Sequence, residues 1–252
     1  MKIKSLLAKN FGFYSSDPSV QASLFKGNGL DREAGLEKLN QVLSQELGVE
    51  YNEQDGMFSE HLILFSSISL AHPNIENILE IGTYDGRAAL IISRLFPNAS
   101  VVTIDLPEDK SAFSSTYNRE HSVRNFLANR NQLLSRSTNV HFRALNSLDL
   151  CNSNDKFDLI WVDGAHGYPI IACDIANSIR LLNPEGILMV DDIWTSIRRS
   201  DAHYRSVGGY ETINAHVDAG AIKSVTLFNK RLGGMYNYPG AKKYVAFIRK
   251  LM

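Results

Sequence analysis

Apolar runs and helical stretches alternate along the chain from about residue 78. Five short runs are rich in β-branched and aliphatic residues: ILEIG (78–82), SVVTIDL (100–106), VHFRAL (140–145), FDLIWVD (157–163) and GILMVDDI (186–193). Runs of this length with apolar residues on both faces are typical of buried parallel strands. Stretches of helical length separate them: RAALIISRLF, residues 118–136 and YPIIACDIANSIRLL. This β-α-β-α order predicts a parallel sheet with helices on both faces.

The last part of the pattern predicts a different kind of pairing. SVTLFNK (224–230) and GGMYNY (233–238) favour an antiparallel hairpin that turns at Arg231 and Leu232, and AKKYVAFIRKLM favours a final helix. We therefore predict an α/β fold: a Rossmann-like, doubly wound, mostly parallel seven-stranded sheet with an antiparallel C-terminal hairpin.

The pattern before residue 73 is less regular and favours helices. REAGLEKLNQVLSQEL and SEHLILFSSISLA have helical character, and the loop GVEYNEQDGM joins them. We expect residues 1–72 to form an N-terminal helical cap and residues 73–252 to form the main domain. Within that domain, residues 194–222 mix polar residues with a glycine pair, which predicts a flap-like insertion.

Composition limits the classes of partner. The chain has 252 residues, of which 44% are hydrophobic, so it can bury one large core. Lys and Arg total 26 against 27 for Asp and Glu, with no basic block, which argues against nucleic acid or an anionic membrane as the main partner. Cys151 and Cys173 do not have the spacing of metal ligands. The N-terminal apolar run LLA is too short for a secretory signal, and the apolar tract LILFSSISLA is about half as long as a membrane span. We expect a cytoplasmic protein that does not bind membranes.

A glycine motif follows the first predicted strand. Glu80-x-Gly82-x-x-x-Gly86, with Thr83 and Tyr84 between the glycines, joins that strand to a helix. The glycines let the backbone approach a ligand, and the helix N-terminus offers free N–H groups. Tyr84 stands where a GxGxxG dinucleotide loop needs glycine, which disfavours NAD, and the Glu80 carboxylate suits a cationic ligand such as a sulfonium amino acid. The alternative is an ordinary turn between a strand and a helix.

Polar residues also follow the next two strands. Asp105 ends the second strand about 20 residues after the glycine loop, where an acid accepts the hydroxyls of a ribose in nucleotide-binding folds. Leu106 comes directly after it. Asn146 and Ser147 follow the third strand, where a polar loop could meet an adenine. The alternative for Asp105 is a residue that caps the turn.

Three carboxylates fall at the ends of the fourth and fifth strands. Asp163 ends one strand, and Asp191 and Asp192 end the next. Three uncompensated acids in one crevice repel each other, and a hard divalent cation such as Mg²⁺ would remove that repulsion. Each acid alone could instead cap a helix. Because neighbouring residues of a strand point to opposite faces, Asp191 and Asp192 can share a metal only if the strand bends between them.

His166 lies three residues after Asp163, within the stretch WVDGAHGY. At that spacing it could reach a metal-bound hydroxyl, and its ordinary pKa suits a general base near neutrality. The alternative is a histidine that braces the turn. His203 and His216, on the expected flap, are second candidates for the base.

Together these motifs resemble those of class I S-adenosylmethionine-dependent methyltransferases, in particular the metal-dependent small-molecule O-methyltransferases. The catechol and caffeoyl-CoA enzymes carry an aspartate after strand four and an Asp-Asn pair after strand five, whereas this chain has Asp163 and the Asp-Asp pair 191–192. Those enzymes have a lysine at the position of His166. The Asp-x-x-His pattern followed by an acidic pair is more similar to methyltransferases of antibiotic and macrolide-sugar pathways.

The resemblance implies a cofactor, a metal and an acceptor. S-adenosyl-L-methionine would be bound by residues of the four strand ends: Glu80, Gly82, Thr83, Tyr84, Gly86, Asp105, Leu106, Ser147 and Asp163. Mg²⁺ or another divalent cation would be bound by Asp163, Asp191 and Asp192, and His166 would be the catalytic base. The acceptor would be a small molecule, with its hydroxyl on a sugar or a natural product.

Two other functions remain open at this point. One is a metal-independent methyltransferase that acts on nitrogen or on RNA, although the chain lacks a basic face. The other is a non-catalytic module of the same fold that binds a nucleotide or oligomerises. FGFYSSD (11–17) could face a partner subunit in a homo-oligomer or cover the cap.

Overall fold

The structure is a computed structural model that describes residues 17–53, 58–114, 122–196, 206–233 and 243–251. Residues 11–16 of FGFYSSD, residues 234–238 of GGMYNY, residues 197–205 of the expected flap, and His203 lie outside the described residues. In the described residues, no helix is long and apolar enough to cross a membrane.

Helices and strands alternate as the sequence predicts. The helices are α1 Pro18–Gly27, α2 Arg32–Leu47, α3 Glu60–Ala71, α4 Arg87–Leu95, α5 Ser111–Ser114, α6 Val123–Leu134, α7 Ile170–Leu181 and α8 Gly208–Asp218. The strands are β1 Asn77–Ile81, β2 Ser100–Asp105, β3 Val140–Ala144, β4 Phe157–Val162, β5 Leu182–Trp194, β6 Ile222–Asn229 and β7 Lys243–Lys250. A short 3₁₀ helix, Ser147–Asn152, follows β3.

The seven strands form one sheet in the order β3-β2-β1-β4-β5-β7-β6. Strands β1 to β5 pair in parallel, and β7 is antiparallel to both β5 and β6. The carboxyl ends of the parallel strands therefore meet at one edge, where sheets of this type bind ligands. The predicted fold class is confirmed.

The expected C-terminal helix is wrong. Residues 243–250 of AKKYVAFIRKLM form β7, which lies between β5 and β6, and it is β7 that completes the hairpin with β6. Four consecutive residues of β7, Val245 to Ile248, are buried. A short apolar run of this kind has no period that separates a buried helix from a strand covered on both faces, and its position in the sheet decides the outcome.

Each face of the sheet has its own apolar core. On one face, helices α1 to α4 pack around residues such as Phe65, Trp161 and Phe228. On the other, α7 and α8 pack with Ile175 and Ile213. The sheet is thus covered on both sides, as the apolar strands require.

The N-terminal helices share the core of the sheet rather than standing apart from it. The Gln21 amide of α1 donates to the Asn229 carbonyl at 3.0 Å, and the Asn229 N–H donates to Gln21 Oε1 at 3.2 Å. Phe65 of α3 contacts Trp161 of β4 edge to face, with 5.2 Å between ring centroids. The helices expected as a cap therefore pack directly on the sheet, while the boundary at residue 72 stays a prediction.

Part of the expected flap is a regular helix. Residues 208–218 form α8, in which Gly208, Gly209 and Ile213 are buried. A side chain at Gly209 would come within 2.9 Å of Ile193, so the glycine pair allows α8 to pack closely on β5. In this described part of residues 194–222, the glycines therefore serve close packing.

Candidate active site

The glycine loop between β1 and α4 lies directly against the end of β4. Gly82 has a φ of 106°, and a side chain at this position would come within 2.3 Å of the Asp163 carbonyl oxygen. Gly86 has a φ of 84° and lies beside Leu134. The loop therefore needs glycine at both positions, because L side chains rarely adopt such φ values and neither position has free space.

Asp105 is hydrogen-bonded to this loop, and the ribose role stays a prediction. Its Oδ2 accepts a hydrogen bond from the Tyr84 N–H at 2.9 Å, and its Oδ1 accepts one from the Leu106 N–H at 2.8 Å. Each carboxylate oxygen has a second lone pair, so the group can still accept hydroxyl donors. The structure thus brings Tyr84, Asp105 and Leu106 together.

Glu80 is fully buried beneath the loop. Its Oε2 accepts a hydrogen bond from the Thr103 hydroxyl at 2.5 Å, and the Thr103 and Thr83 hydroxyls are 2.5 Å apart. Among the described residues, Glu80 Oε1 has no hydrogen-bond partner. Burial raises the pKa of Glu80 to about 8, and the nearby Asp105 charge adds to the shift.

The loop after β3 is a capped 3₁₀ turn. Asn146 Oδ1 accepts from the Leu148 N–H at 3.1 Å, which starts the 3₁₀ helix at Ser147. A mainly apolar cavity of about 240 Å³ lies beside this helix, lined in part by Ile104 and Leu150. None of the residues that line it is among the predicted site residues. The cavity is therefore separate from the strand-end acids.

The structure brings the predicted acids and His166 together. His166 Nε2 lies 3.5 Å from Asp163 Oδ1 and 3.7 Å from Asp192 Oδ2. Burial raises the pKa of the Asp163 carboxyl well above its usual range, and the charges of Asp191 and Asp192 act in the same direction. Carboxylates from two neighbouring strands thus surround one imidazole.

The predicted bend at the end of β5 is confirmed. The pairing of β5 with β7 shifts register between Val190 and Ile193, and Asp192 has a φ of 57°. Asp191 and Asp192 consequently both reach the same group, the Lys230 ammonium, which donates to one oxygen of each.

Two lysines that the sequence analysis did not select complete the cluster. Lys230 Nζ contacts Asp191 and Asp192, and Lys243 Nζ lies 2.5 Å from Asp192 Oδ2. Burial favours the neutral form of Lys230, but the charges of Asp191 and Asp192 outweigh it and raise its pKa. The one sequence feature that could have pointed to Lys230 is its position at the end of the predicted strand SVTLFNK. Only the sheet order places that strand end beside Asp191.

The cluster does not fit the predicted metal site. Within the described ranges, no group of three or more His, Cys, Asp or Glu side chains could hold a metal ion. The Lys230 ammonium lies between the two carboxylates of β5, so a divalent cation could join Asp163, Asp191 and Asp192 only by displacing it. The metal remains an expectation from the resemblance.

Burial favours the neutral form of two histidines near the cluster. Burial lowers the pKa of His166 below its usual range, and it lowers that of His61 to about 4. His61, from α3, stacks on Trp161 at 5.1 Å and its Nδ1 lies 2.6 Å from Ser59 Oγ. Sequence reasoning gave His61 no role because nothing local links α3 to the strand ends. His216 lies in the last turn of α8.

One protein family matches the central part of the chain. Residues 79–193, from β1 to the end of β5, match a protein family described as "Methyltransferase domain". Over these residues the chain is similar to a methyltransferase domain. This match covers the glycine loop, Asp105 and the three acids, and it shows that the protein is an enzyme of the methyltransferase class. No curated protein matches the chain significantly.

Three solved structures share the fold. An O-methyltransferase from Bacillus cereus in complex with SAH is 18% identical, with 85% of this chain and 91% of that chain covered and a TM-score of 0.52. The O-methyltransferase TomG from Streptomyces achromogenes, involved in tomaymycin synthesis and solved with SAM, is 17% identical, with coverages of 92% and 96% and a TM-score of 0.52. An rRNA methylase from Streptococcus thermophilus is 11% identical, with coverages of 79% and 100% and a TM-score of 0.50.

Proposed function

We propose that this methyltransferase uses S-adenosyl-L-methionine to methylate a hydroxyl group of a small molecule, either a sugar or a natural product. The glycine loop and Asp105 would bind the cofactor, and His166 would be the base. The similar B. cereus and S. achromogenes enzymes, solved with SAH and SAM, support this choice of cofactor and reaction.

The observation that carries the proposal is the contact between the glycine loop and the acid cluster. Gly82 approaches the Asp163 backbone so closely that no side chain fits between them. The Asp163 side chain in turn lies 3.5 Å from His166. The residues that would hold the cofactor therefore lie next to Asp163, whose side chain flanks the His166 imidazole, and such closeness favours proton removal beside methyl transfer.

The reaction follows from this placement. S-adenosylmethionine would supply an electrophilic methyl group on its sulfonium, and His166 would take the proton of the acceptor hydroxyl. Asp163 and Asp192 flank His166 and would orient the acceptor by accepting hydrogen bonds from its other hydroxyls.

Calorimetry and turnover together test the proposal. We expect S-adenosylhomocysteine to bind at micromolar concentrations and NAD not to bind, because Tyr84 replaces the glycine of a dinucleotide loop. Single-turnover assays with radiolabelled S-adenosylmethionine should then show methylation in a panel of sugars and natural products with free hydroxyls. A preference for NAD, or methylation of RNA but of no hydroxyl compound in the panel, would contradict it.

A further inference from the structure

We propose that the Lys230 ammonium is the resident cation of the acid cluster and that its position makes a divalent metal unnecessary there. This inference deepens the proposed function, since it concerns the same site. Lys230 would be a positioning residue: it fixes the two carboxylates of β5, and Asp192 in turn lies against His166.

The contacts of Lys230 are those of a group built into the site. Its ammonium donates to Asp191 and to Asp192. The Lys230 side chain is 14% exposed and that of Asp191 is 3% exposed, so solvent screens this pair weakly. A lysine on the surface would exchange between partners, whereas this one is enclosed by its counter-charges.

The backbone of Lys230 is held on both sides. Its N–H donates to the Lys243 carbonyl at 3.0 Å, and its carbonyl accepts from the Glu60 N–H at 3.0 Å. Glu60 itself is fixed by Arg32, whose Nε and Nη2 donate to its two carboxylate oxygens at 3.0 and 2.5 Å. The backbone of Lys230 is therefore fixed between β7 and the start of α3, which lowers the entropy lost when its side chain is ordered.

Charge balance supports the same conclusion. The carboxylates of Asp191 and Asp192 face two ammonium groups, since Lys230 contacts both and Lys243 also contacts Asp192. A divalent cation bound to these acids would lie beside both lysines, and the like charges would repel it. Removal of Lys230 should reduce this repulsion and free one oxygen of Asp191 and one of Asp192 at once.

Direct metal binding tests the inference without an acceptor. Binding of Mn²⁺ to the full chain is followed by the electron paramagnetic resonance signal of the free ion, for the wild type, Lys230→Ala and Lys230→Met. We expect weak binding to the wild type, in the millimolar range, and at least about tenfold tighter binding to both variants, because carboxylate oxygens then become available. Lys223→Ala is the matched control, since Lys223 is exposed and its ion pair, with Glu185, lies away from the acid cluster.

Two results would overturn the inference. One is tight Mn²⁺ binding to the wild type that Asp191→Asn abolishes, since Lys230 would then yield its place to a metal. The other is weak binding to the wild type and both variants alike. Circular dichroism checks that the Lys230 variants fold. If they do not, Lys230→Arg, which keeps the charge, should bind Mn²⁺ as weakly as the wild type. The titration of the wild type then decides whether the inference holds.

Activity gives an independent readout. Once an acceptor is known, methyl transfer by the wild type should be unchanged by EDTA, and loss of activity in EDTA that Mg²⁺ restores would overturn the inference. Failure to find any acceptor would count against the proposed function but leaves the Mn²⁺ titration unaffected. The two proposals can therefore fail separately.

Discussion

His166 is the residue on which the proposed chemistry depends most directly. Its Nδ1 is buried without a hydrogen-bond partner among the described residues, while Nε2 faces Asp163 and Asp192. We expect His166→Ala to lower the single-turnover rate by roughly 10²- to 10⁴-fold, which is the usual effect of losing a positioned general base. Partial recovery at high pH should follow, because hydroxide can then remove the acceptor proton.

A matched control separates this role from a structural one. His216→Ala, in the last turn of α8, should leave the rate per folded molecule close to that of the wild type. If His166→Ala lowered the melting temperature but kept the rate, the imidazole would only brace the turn after Asp163.

Glu80 gives a prediction for stability against pH. Its carboxyl has a pKa of about 8 in the folded chain, against an ordinary value of 4.5. The proton is therefore bound more tightly in the folded state, so the contribution of Glu80 to stability is full below about pH 4.5 and is lost as the pH rises to about 8.

Glu80→Gln should remove this loss. When the pH is raised from about 5 to about 9, the free energy of unfolding of Glu80→Gln should rise by a few kcal/mol relative to that of the wild type. This is about the free energy that corresponds to the pKa shift of Glu80. Urea denaturation at both pH values measures it, with the exposed Glu76→Gln as control. Parallel changes in the wild type and Glu80→Gln would mean that Glu80 is ionised in the folded protein with an ordinary pKa.

At the scale of elements, the contact between the β1–α4 loop and the end of β4 is the most sensitive to change. Gly82 and Gly48 both have positive φ values, of 106° and 69°, but only Gly82 is crowded, since nothing lies within 4 Å of a side chain at Gly48. We expect Gly48→Ala to cost about 1 kcal/mol from backbone strain alone.

Gly82→Ala should cost about 3 kcal/mol or more, because the new methyl group would also push the loop away from Asp163. It should weaken binding of S-adenosylhomocysteine as well, whereas Gly48→Ala should not. Thermal melting and calorimetry measure the two effects. Equal affinities in the two variants would show that the cofactor does not rest on this loop.

The elements also show what the sequence can and cannot predict. Strands β1, β2 and β4 were predictable because they are buried on both faces and therefore apolar throughout. The same property made β7 ambiguous, since an apolar run of that length fits a helix equally well. The acids and His166 were predictable from their places at strand ends. Lys230 was not, because its partners lie about 40 residues away and only the sheet order brings them together.

At the scale of the whole molecule, a buried ion pair joins α2 to α3, and the Glu60 N–H joins α3 to the Lys230 carbonyl, next to the end of β6. Glu60 is fully buried and binds Arg32 through both of its oxygens. Arg32→Met should destabilise the protein by about 3–5 kcal/mol, because it leaves the Glu60 carboxylate buried without its partner.

The double variant Arg32→Met/Glu60→Gln should recover part of this loss, since the uncompensated charge is then absent. Urea denaturation of the two single variants and the double variant measures the coupling between the residues. Additive effects would mean that Arg32 and Glu60 stabilise the fold independently.

An ammonium group that belongs to the polypeptide cannot dissociate from it. Lys230 is present at its acids in a fixed one-to-one ratio, whatever the ionic composition of the medium. Chelating metabolites such as nucleotides and citrate would leave its occupancy unchanged, whereas a bound ion is lost when its free concentration falls below its dissociation constant. The same permanence removes a means of control: changing the charge at this position requires a mutation or a covalent modification of the lysine, and no rise or fall of an ion can do it.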